Sequence, residues 1–174
     1  MRAVTDKEFI EVFSHTIFSS FVATATAIVF GFIFAYGVNY TNMPCKRFFQ
    51  VVALLPTMAP SVVSGLAFIM LFGRRGFITW EMLHLKVDLY GPVGLWVAQT
   101  IAFFPLAYIT ISGVLKNISP NLELAAQNLG AKGWYLFRTV TLRLATPGLA
   151  SAFLLVGINS LADFGNPMLV GGNY

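Results

Sequence analysis

The chain has 174 residues, of which 57% are hydrophobic and 10% charged, and its mean hydropathy is +0.74. A soluble domain of this size cannot bury so much apolar surface, so the composition predicts a membrane protein. The net charge of +4 does not indicate nucleic-acid binding, because the basic residues lie between apolar segments and form no continuous stripe. The one cysteine, Cys45, excludes an intrachain disulfide and a cysteine-based metal cage.

Four segments are apolar enough to cross a membrane as helices, which takes about 20 residues each. They cover about residues 16–38, 48–72, 92–115 and 147–170. Pro56 and Pro60 interrupt the second segment, and Pro105 lies inside the third. Backbone groups that a proline frees within a membrane need partners on neighbouring helices, so we expect a packed bundle rather than isolated anchors. The predicted fold class is an all-α, polytopic membrane helix bundle with about four transmembrane helices.

The charge distribution gives a weak prediction of orientation. Five basic residues lie on the side of the N-terminus and six on the side that carries Glu123. Because basic residues favour the cytoplasmic side, we expect Glu123 to be cytoplasmic and the N-terminus to be outside. Both ends of the chain then lie outside, which is unusual for a complete small polytopic membrane protein and predicts a fragment or one half of a longer chain.

A polar, glycine-containing segment at residues 116–146 separates the third and fourth spans. Ser119 is a favourable N-cap residue, and Pro120 suits the first position of a helix. Glu123 would lie in the first turn, where the helix dipole favours negative charge. Gly130 is typical of the residue that follows a helix. The sequence therefore predicts a short helix in this loop, ending before Gly130.

The predicted helix has one apolar face, formed by Leu122, Ala125, Ala126 and Leu129 at helical spacing. The face is shallow, because two of these four side chains are alanines. A second helical segment follows, with Trp134, Phe137 and Val140 on one face. Two interpretations are open. The element is either an interfacial amphipathic hairpin that only connects two spans, or a docking element for a cytoplasmic partner.

The segment "LAAQNLG", which contains Ala125, Ala126 and Gly130, resembles the EAA loop of bacterial ABC importer permeases, whose pattern is E-A-A-x3-G-x9-I-x-L-P. Val140 and Leu142 follow Gly130 at the spacing of the final hydrophobic positions. The resemblance covers about residues 14–174, including the proline-rich "LLPTMAPSVVSG", and "LADFGNPMLVGGNY" resembles the ferric-iron branch of the family.

Two positions depart from the family pattern. Leu124 stands where the family has glutamate, with Glu123 one place earlier, and Arg143 stands where the family has proline, with Pro147 four residues on. The first departure affects the contact that the usual glutamate would make. The second allows the helix to continue before the span begins.

The resemblance implies a bundle of the type I ABC importer permease class, with a cytoplasmic coupling helix, in a bacterial inner membrane. It implies as partners an ABC ATPase dimer, a periplasmic substrate-binding protein, membrane lipid and a second permease core, either in the same chain or in a homodimer. The chain lacks a G-x-x-x-x-G-K-[ST] phosphate loop, so ATP and magnesium would bind to the ATPase and no cofactor to this chain. The implied ATPase-coupling residues are Glu123, Leu124, Ala125, Ala126, Gly130 and Ala131.

One carboxylate lies near the end of the fourth predicted span. Asn159, Asp163 and Asn166 are spaced i, i+4 and i+7, so a continuous helix would place them on one face. They would either line the translocation path, since ionisable residues in spans are costly, or lie solvated at the membrane boundary. One aspartate and two amides are too few ligands for a tight Fe(III) site, so no metal site is predicted.

Three classes of function remain to be compared. The first is a permease of an ATP-driven importer, with ferric iron as the solute or, alternatively, another small solute such as a phosphonate or a polyamine. A secondary transporter or channel would need more intramembrane charge for ion coupling than this chain has. A membrane-embedded enzyme would need a catalytic cluster in a span, and the sequence has none, so no catalytic residue is predicted.

Overall fold

The computed structural model describes residues 7–41, 43–73, 76–82, 84 and 91–171, and every regular element in this part of the chain is a helix. A first long helix is followed by a broken segment, a second long helix, the short loop helix and a third long helix. The α-helices are α1 (Lys7–Tyr40), α2 (Lys46–Leu54), α3 (Ser61–Phe72), α4 (Pro92–Asn117), α5 (Pro120–Asn128), α6 (Gly133–Leu136), α7 (Leu142–Leu161) and α8 (Gly165–Val170). A 3-10 turn covers Leu55–Met58, and π-helical turns cover Phe77–Met82 and Phe137–Thr141.

Within the described residues, four helical segments are long and apolar enough to cross a membrane: Phe13–Tyr40, Ser61–Met82, Pro92–Asn117 and Gly133–Leu161. Large apolar side chains face outward along them, including Phe18, Phe21 and Ile33. In a soluble protein such exposure would be unfavourable, whereas in lipid the outer surface of a bundle is expected to be apolar. The predicted all-α polytopic membrane bundle is confirmed.

The centre of the bundle is formed by α1, α4 and α7. Helices α1 and α4 run parallel, since Thr26 of α1 contacts Thr100 of α4 while Asn39, further along α1, contacts Ser112. Helix α7 runs in the opposite direction, because its end contacts the beginning of α1 through Ser160 and Ser20. The end of α1, the end of α4 and the beginning of α7 therefore lie together at one end of the bundle.

Small residues allow these helices to approach closely. The fully buried core includes Ala27, Ala107 and Ala152, each with no exposed surface. A Cβ atom added to Gly31 of α1 would lie 2.8 Å from Cβ of Ala107 in α4. A Cβ atom added to Gly148 of α7 would lie 2.5 Å from the Val114 side chain. Close approach through small residues is the usual way in which membrane helices gain packing energy.

The second predicted span, residues 48–72, is broken rather than continuous. Helix α2 ends at Leu54, a 3-10 turn follows, and α3 begins after Pro60. Pro56 and Pro60 cause the break, because each lacks a backbone N–H and clashes with the preceding helical turn. The membrane-crossing segment that contains α3 therefore begins at Ser61 rather than at residue 48.

The fourth span also differs from the prediction. We expected it to begin at Pro147 and end near residue 170, but Pro147 lies inside α7 and the apolar helical segment extends from Gly133 to Leu161. A proline removes one helical hydrogen bond, and in a membrane neighbouring groups can compensate for that loss. The chain then leaves the helix at Ala162 and forms the short α8.

Candidate coupling element and polar cavity

Helix α5 begins and ends at the residues that the sequence indicated. Ser119 takes the extended N-cap conformation and Pro120 opens the helix, although the Ser119 hydroxyl makes no capping hydrogen bond. Gly130 follows the helix with φ of +91°. The Gly130 N–H donates to the Gln127 carbonyl at 2.9 Å, and the Ala131 N–H donates to the Ala126 carbonyl at 3.0 Å. This pair of bonds is a Schellman motif, which requires a left-handed residue at the glycine position.

Glu123 connects α5 to the bundle. The hydroxyl of Thr141, which is 2% exposed, donates a hydrogen bond to Oε1 of Glu123 at 3.0 Å. The phenol of Tyr40, at the end of α1, also interacts with this carboxylate. The loop helix is thus joined through one side chain both to the last residue of α1 and to the π-helical turn before α7. Position 124, where the EAA pattern has glutamate, carries a leucine that is 56% exposed.

The outer side of α5 is apolar and uncovered. Leu122 is 50% exposed and Leu129 is 90% exposed. Ala125 between them is exposed, whereas Ala126 is half-buried, so the predicted four-residue face does not lie wholly on the outside. Ala131 is buried. Since α5 is anchored on its inner side through Glu123, its outer side presents a small apolar surface on a fixed support.

A polar cavity of about 380 Å³ lies at the other end of the bundle, between α1, α4 and the residues around the end of α7. Its lining includes His15 and Ser20 of α1, Gln99 of α4, Ser160 at the end of α7, and Asp163. Gln99 and Ser160 are each 1% exposed. The lining also includes the apolar side chains of Leu95, Phe164 and Pro167. The polar side chains in the lining allow the cavity to hold water or a polar solute.

Asp163 is oriented by amide donors. Nδ2 of Asn166 donates to Oδ2 of Asp163 at 2.8 Å, and Nε2 of Gln99 donates to the same oxygen at 3.4 Å. The backbone N–H of Asn166 lies 3.5 Å from Oδ1. These contacts fix the orientation of the carboxyl group at the cavity wall. Oδ1 of Asn166 is buried without a hydrogen-bond partner, and it faces Gly65 of α3.

Asn159 does not join this cluster. We expected Asn159, Asp163 and Asn166 on one helical face, but α7 ends at Leu161 and α8 begins at Gly165. The break turns the chain, so Asn159 remains exposed and donates to the carbonyl of Leu155 at 2.7 Å. Asp163 and Asn166 come together with Gln99 instead. Sequence reasoning missed Gln99, although a glutamine inside an apolar span was a signal that could have indicated it.

The described residues contain no group of three or more histidine, cysteine, aspartate or glutamate side chains that could hold a metal ion. A resident metal centre therefore has no ligand set in this part of the chain. Asp163 is the carboxylate in the cavity lining, and it is paired with amides rather than with other anionic ligands.

The model of the family described as "Binding-protein-dependent transport system inner membrane component" matches residues 27–173. This chain belongs to that family. The match includes the loop helix, the cavity residues of α4 and α7–α8, and the second part of α1 from residue 27 onward. The family is one of inner-membrane components of transport systems, and the resemblance to ABC importer permeases is confirmed.

Known relatives match 95% or more of this chain. A putative ferric transport system permease protein of Haemophilus influenzae is 33% identical over 100% of the chain and 28% of its own length. A ferric transport system permease protein of Actinobacillus pleuropneumoniae is 34% identical over 95% of the chain and 25% of its own length. A sulfate transport system permease protein of Escherichia coli is 30% identical over 99% of the chain and 62% of its own length. The chain thus spans between a quarter and two thirds of the length of these relatives.

We predict that Glu123→Ala loosens α5 from the bundle. A hydrogen bond to a charged group contributes about 1.5–3 kcal/mol, so the amides of residues 121–131 should exchange with solvent at least roughly tenfold faster. Hydrogen-exchange mass spectrometry of the purified protein measures this. Thr141→Val should give a similar but smaller increase, because the Tyr40 interaction remains.

Leu124→Ala is the matched control, since the exposed Leu124 side chain does not anchor α5 to the bundle. It should leave exchange of α5 unchanged. Equal exchange in Glu123→Ala and Leu124→Ala would contradict the anchoring role of Glu123.

Proposed function

We propose that this chain is the membrane-spanning permease part of an ATP-driven importer that carries ferric iron delivered by a periplasmic binding protein. The observation that carries the first half of this proposal is α5, a helix fixed to the bundle by Glu123 with an uncovered apolar side. The second half is supported by the two ferric relatives and by the carboxylate in the polar cavity.

Helix α5 suits a coupling role because of how it is supported. A push on its outer surface would pass through the carboxylate of Glu123 to α1 at Tyr40 and to the π-helical turn at Thr141. Helices α1 and α7 line the polar cavity at the far end. Movement of an ATPase dimer, which binds ATP and magnesium, could therefore be transmitted along continuous helices to the solute path. A flexible loop in place of α5 would absorb that movement.

The outer surface of α5 suits a protein cleft. Ala125 is small and lies between Leu122 and Leu129, so a partner can contact the helix backbone closely and cover both leucines. Uncovered apolar groups on a water-facing element commonly mark a protein contact. We therefore propose the outer surface of α5 as the ATPase contact and a second permease core as the other half of the path.

A substitution at Ala125 tests the coupling proposal. Ala125→Trp should prevent docking of the ATPase through steric bulk, so co-purification and substrate-stimulated ATP hydrolysis should both fall by at least roughly tenfold, about 1.4 kcal/mol. Ala125→Ser is the control, because it keeps the small volume and should retain both. The readouts are pull-down of the ATPase with the whole permease and phosphate release in proteoliposomes. Normal coupling in Ala125→Trp would exclude α5 as the contact.

The choice of ferric iron over other solutes is open to direct measurement. The whole transporter, reconstituted with its ATPase, should hydrolyse ATP faster when the periplasmic protein is loaded with ferric iron. Sulfate, the solute named for one relative, should give no stimulation. If a sulfate-loaded or a phosphonate-loaded binding protein stimulates hydrolysis instead, that solute and not iron is the cargo. The proposed importer function would still stand.

Asp163 and Asn166 are proposed, with Gln99, as part of the translocation path. A carboxylate at the wall of the cavity attracts a cation and repels an anion, which favours an iron cargo over sulfate. The site has one carboxylate, so it would bind a passing cation weakly, as a path requires if the solute is to leave. Asn159 is not part of this proposed path, because it lies outside the cluster and bonds to the Leu155 carbonyl.

We predict that Asp163→Asn lowers iron uptake by roughly tenfold, equivalent to about 1.4 kcal/mol, because the local negative charge is lost while the side-chain volume is kept. Uptake of radioactive iron into proteoliposomes measures the effect, and ATPase co-purification should be unchanged. Asn159→Ala should transport normally. If both variants transport alike, the cavity is not on the path.

A further inference from the structure

A shallow cleft of about 410 Å³ lies on the surface of the last long helical segment, near α5. Its lining combines two arginines with hydroxyl groups and one leucine: Tyr135, Arg138, Thr139, Leu142, Arg143 and Thr146. None of these lining residues is acidic. We propose that this cleft binds the headgroup of an anionic phospholipid, with its phosphate between Arg138 and Arg143.

The π-helical turn Phe137–Thr141 brings the two arginines to one cleft. In a straight α-helix, residues five apart point about 140° away from each other. A π-helical turn instead bonds residues five apart, as the Leu142 N–H does to the Phe137 carbonyl. Arg138 and Arg143 are also five apart and line the same side. The sequence pattern alone would have separated them.

The cleft lies at the membrane boundary. The apolar helical segment begins at Gly133, and Phe137 packs on Tyr36, one turn before the end of the first span, with ring centroids 5.0 Å apart. Trp134 is 74% exposed and Tyr135 is 66% exposed at the same level. Exposed tryptophan and tyrosine side chains are typical of the headgroup region of a bilayer.

The exposed positive charge of Arg143 requires an anionic partner. Arg143 lies ten residues inside the apolar segment, and its side chain is exposed rather than buried in the bundle. An arginine there is costly unless it reaches the headgroup region, and helical side chains lean towards the N-terminal end, which here is the membrane boundary. Glu123, the acidic residue of α5, is already bonded to Thr141.

A lipid phosphate meets these requirements. The guanidinium group presents a planar set of donors that fits phosphate oxygens, and hydroxyl groups of the cleft can add further hydrogen bonds. Anionic lipids also attract basic residues near the membrane surface. Leu142 in the lining offers an apolar contact for the start of an acyl chain. We therefore commit to phosphatidylglycerol or a lipid of similar charge as the occupant.

Native mass spectrometry of the whole permease, taken from nanodiscs of equal phosphatidylglycerol and phosphatidylcholine, tests the proposal. The unmodified protein should retain phosphatidylglycerol preferentially. Each of Arg138→Gln and Arg143→Gln should lower that retention by roughly fivefold. Arg138→Lys should keep most of it, since the charge remains.

Lys132→Gln is the matched control, because Lys132 is an exposed basic residue at the same end that does not line the cleft. It should retain the lipid as the unmodified protein does. If Lys132→Gln and Arg138→Gln lower phosphatidylglycerol retention equally, retention depends on general surface charge and not on the cleft. That result would overturn the proposal. Unchanged lipid retention in both arginine variants, with loss of the ATPase in a pull-down, would also overturn it and assign the cleft to an acidic protein surface.

Discussion

The close approach of α1, α4 and α7 is the constraint on which the other features depend. Lipid is as apolar as a leucine side chain, so helices in a bilayer gain little from burying large apolar groups and depend on tight packing instead. Gly31 against Ala107 and Gly148 against Val114 provide that packing, because a methyl group at either glycine would overlap its neighbour. Bulky phenylalanines such as Phe18 and Phe21 are left on the outside, where an apolar surface suits a lipid surround. Three helices held in this way form a support that can carry polar groups at both ends.

Polar residues within the bundle add specificity to this packing. Trp96 donates to Thr26 at 3.0 Å, and Thr26 and Thr100 share a hydrogen bond of 2.8 Å, which fixes the register of α1 against α4. The same two helices place His15 and Gln99 around the cavity. A shift of one residue between α1 and α4 would break these bonds and misplace His15 relative to Gln99. The register that packing sets near the centre therefore determines which α1 and α4 side chains meet at the cavity.

At the opposite end, the position of one carboxylate decides how the loop helix is held. The familiar pattern has glutamate directly before the two alanines, and this chain has it one residue earlier. The shift places the carboxylate towards Thr141 and Tyr40 and leaves Leu124 exposed. The two contact partners of Glu123 lie at the end of α1 and in the π-helical turn before α7. Arg143 stands where the family pattern has proline. It lies within α7, and the helix passes through that position without a break.

The sequence by itself determined the membrane location, the all-helical class, the loop helix from Ser119 to Gly130 and the family. These features follow from composition, local caps and short spacings, which act within one or two helical turns. Tertiary structure decided the rest. The break after Leu161 separated Asn159 from Asp163. Gln99, which lies 64 residues before Asp163 in the sequence, joined the cluster from α4. A π-helical turn brought Arg138 and Arg143 together, because helix packing and not local periodicity sets where an extra residue is accommodated in a helix.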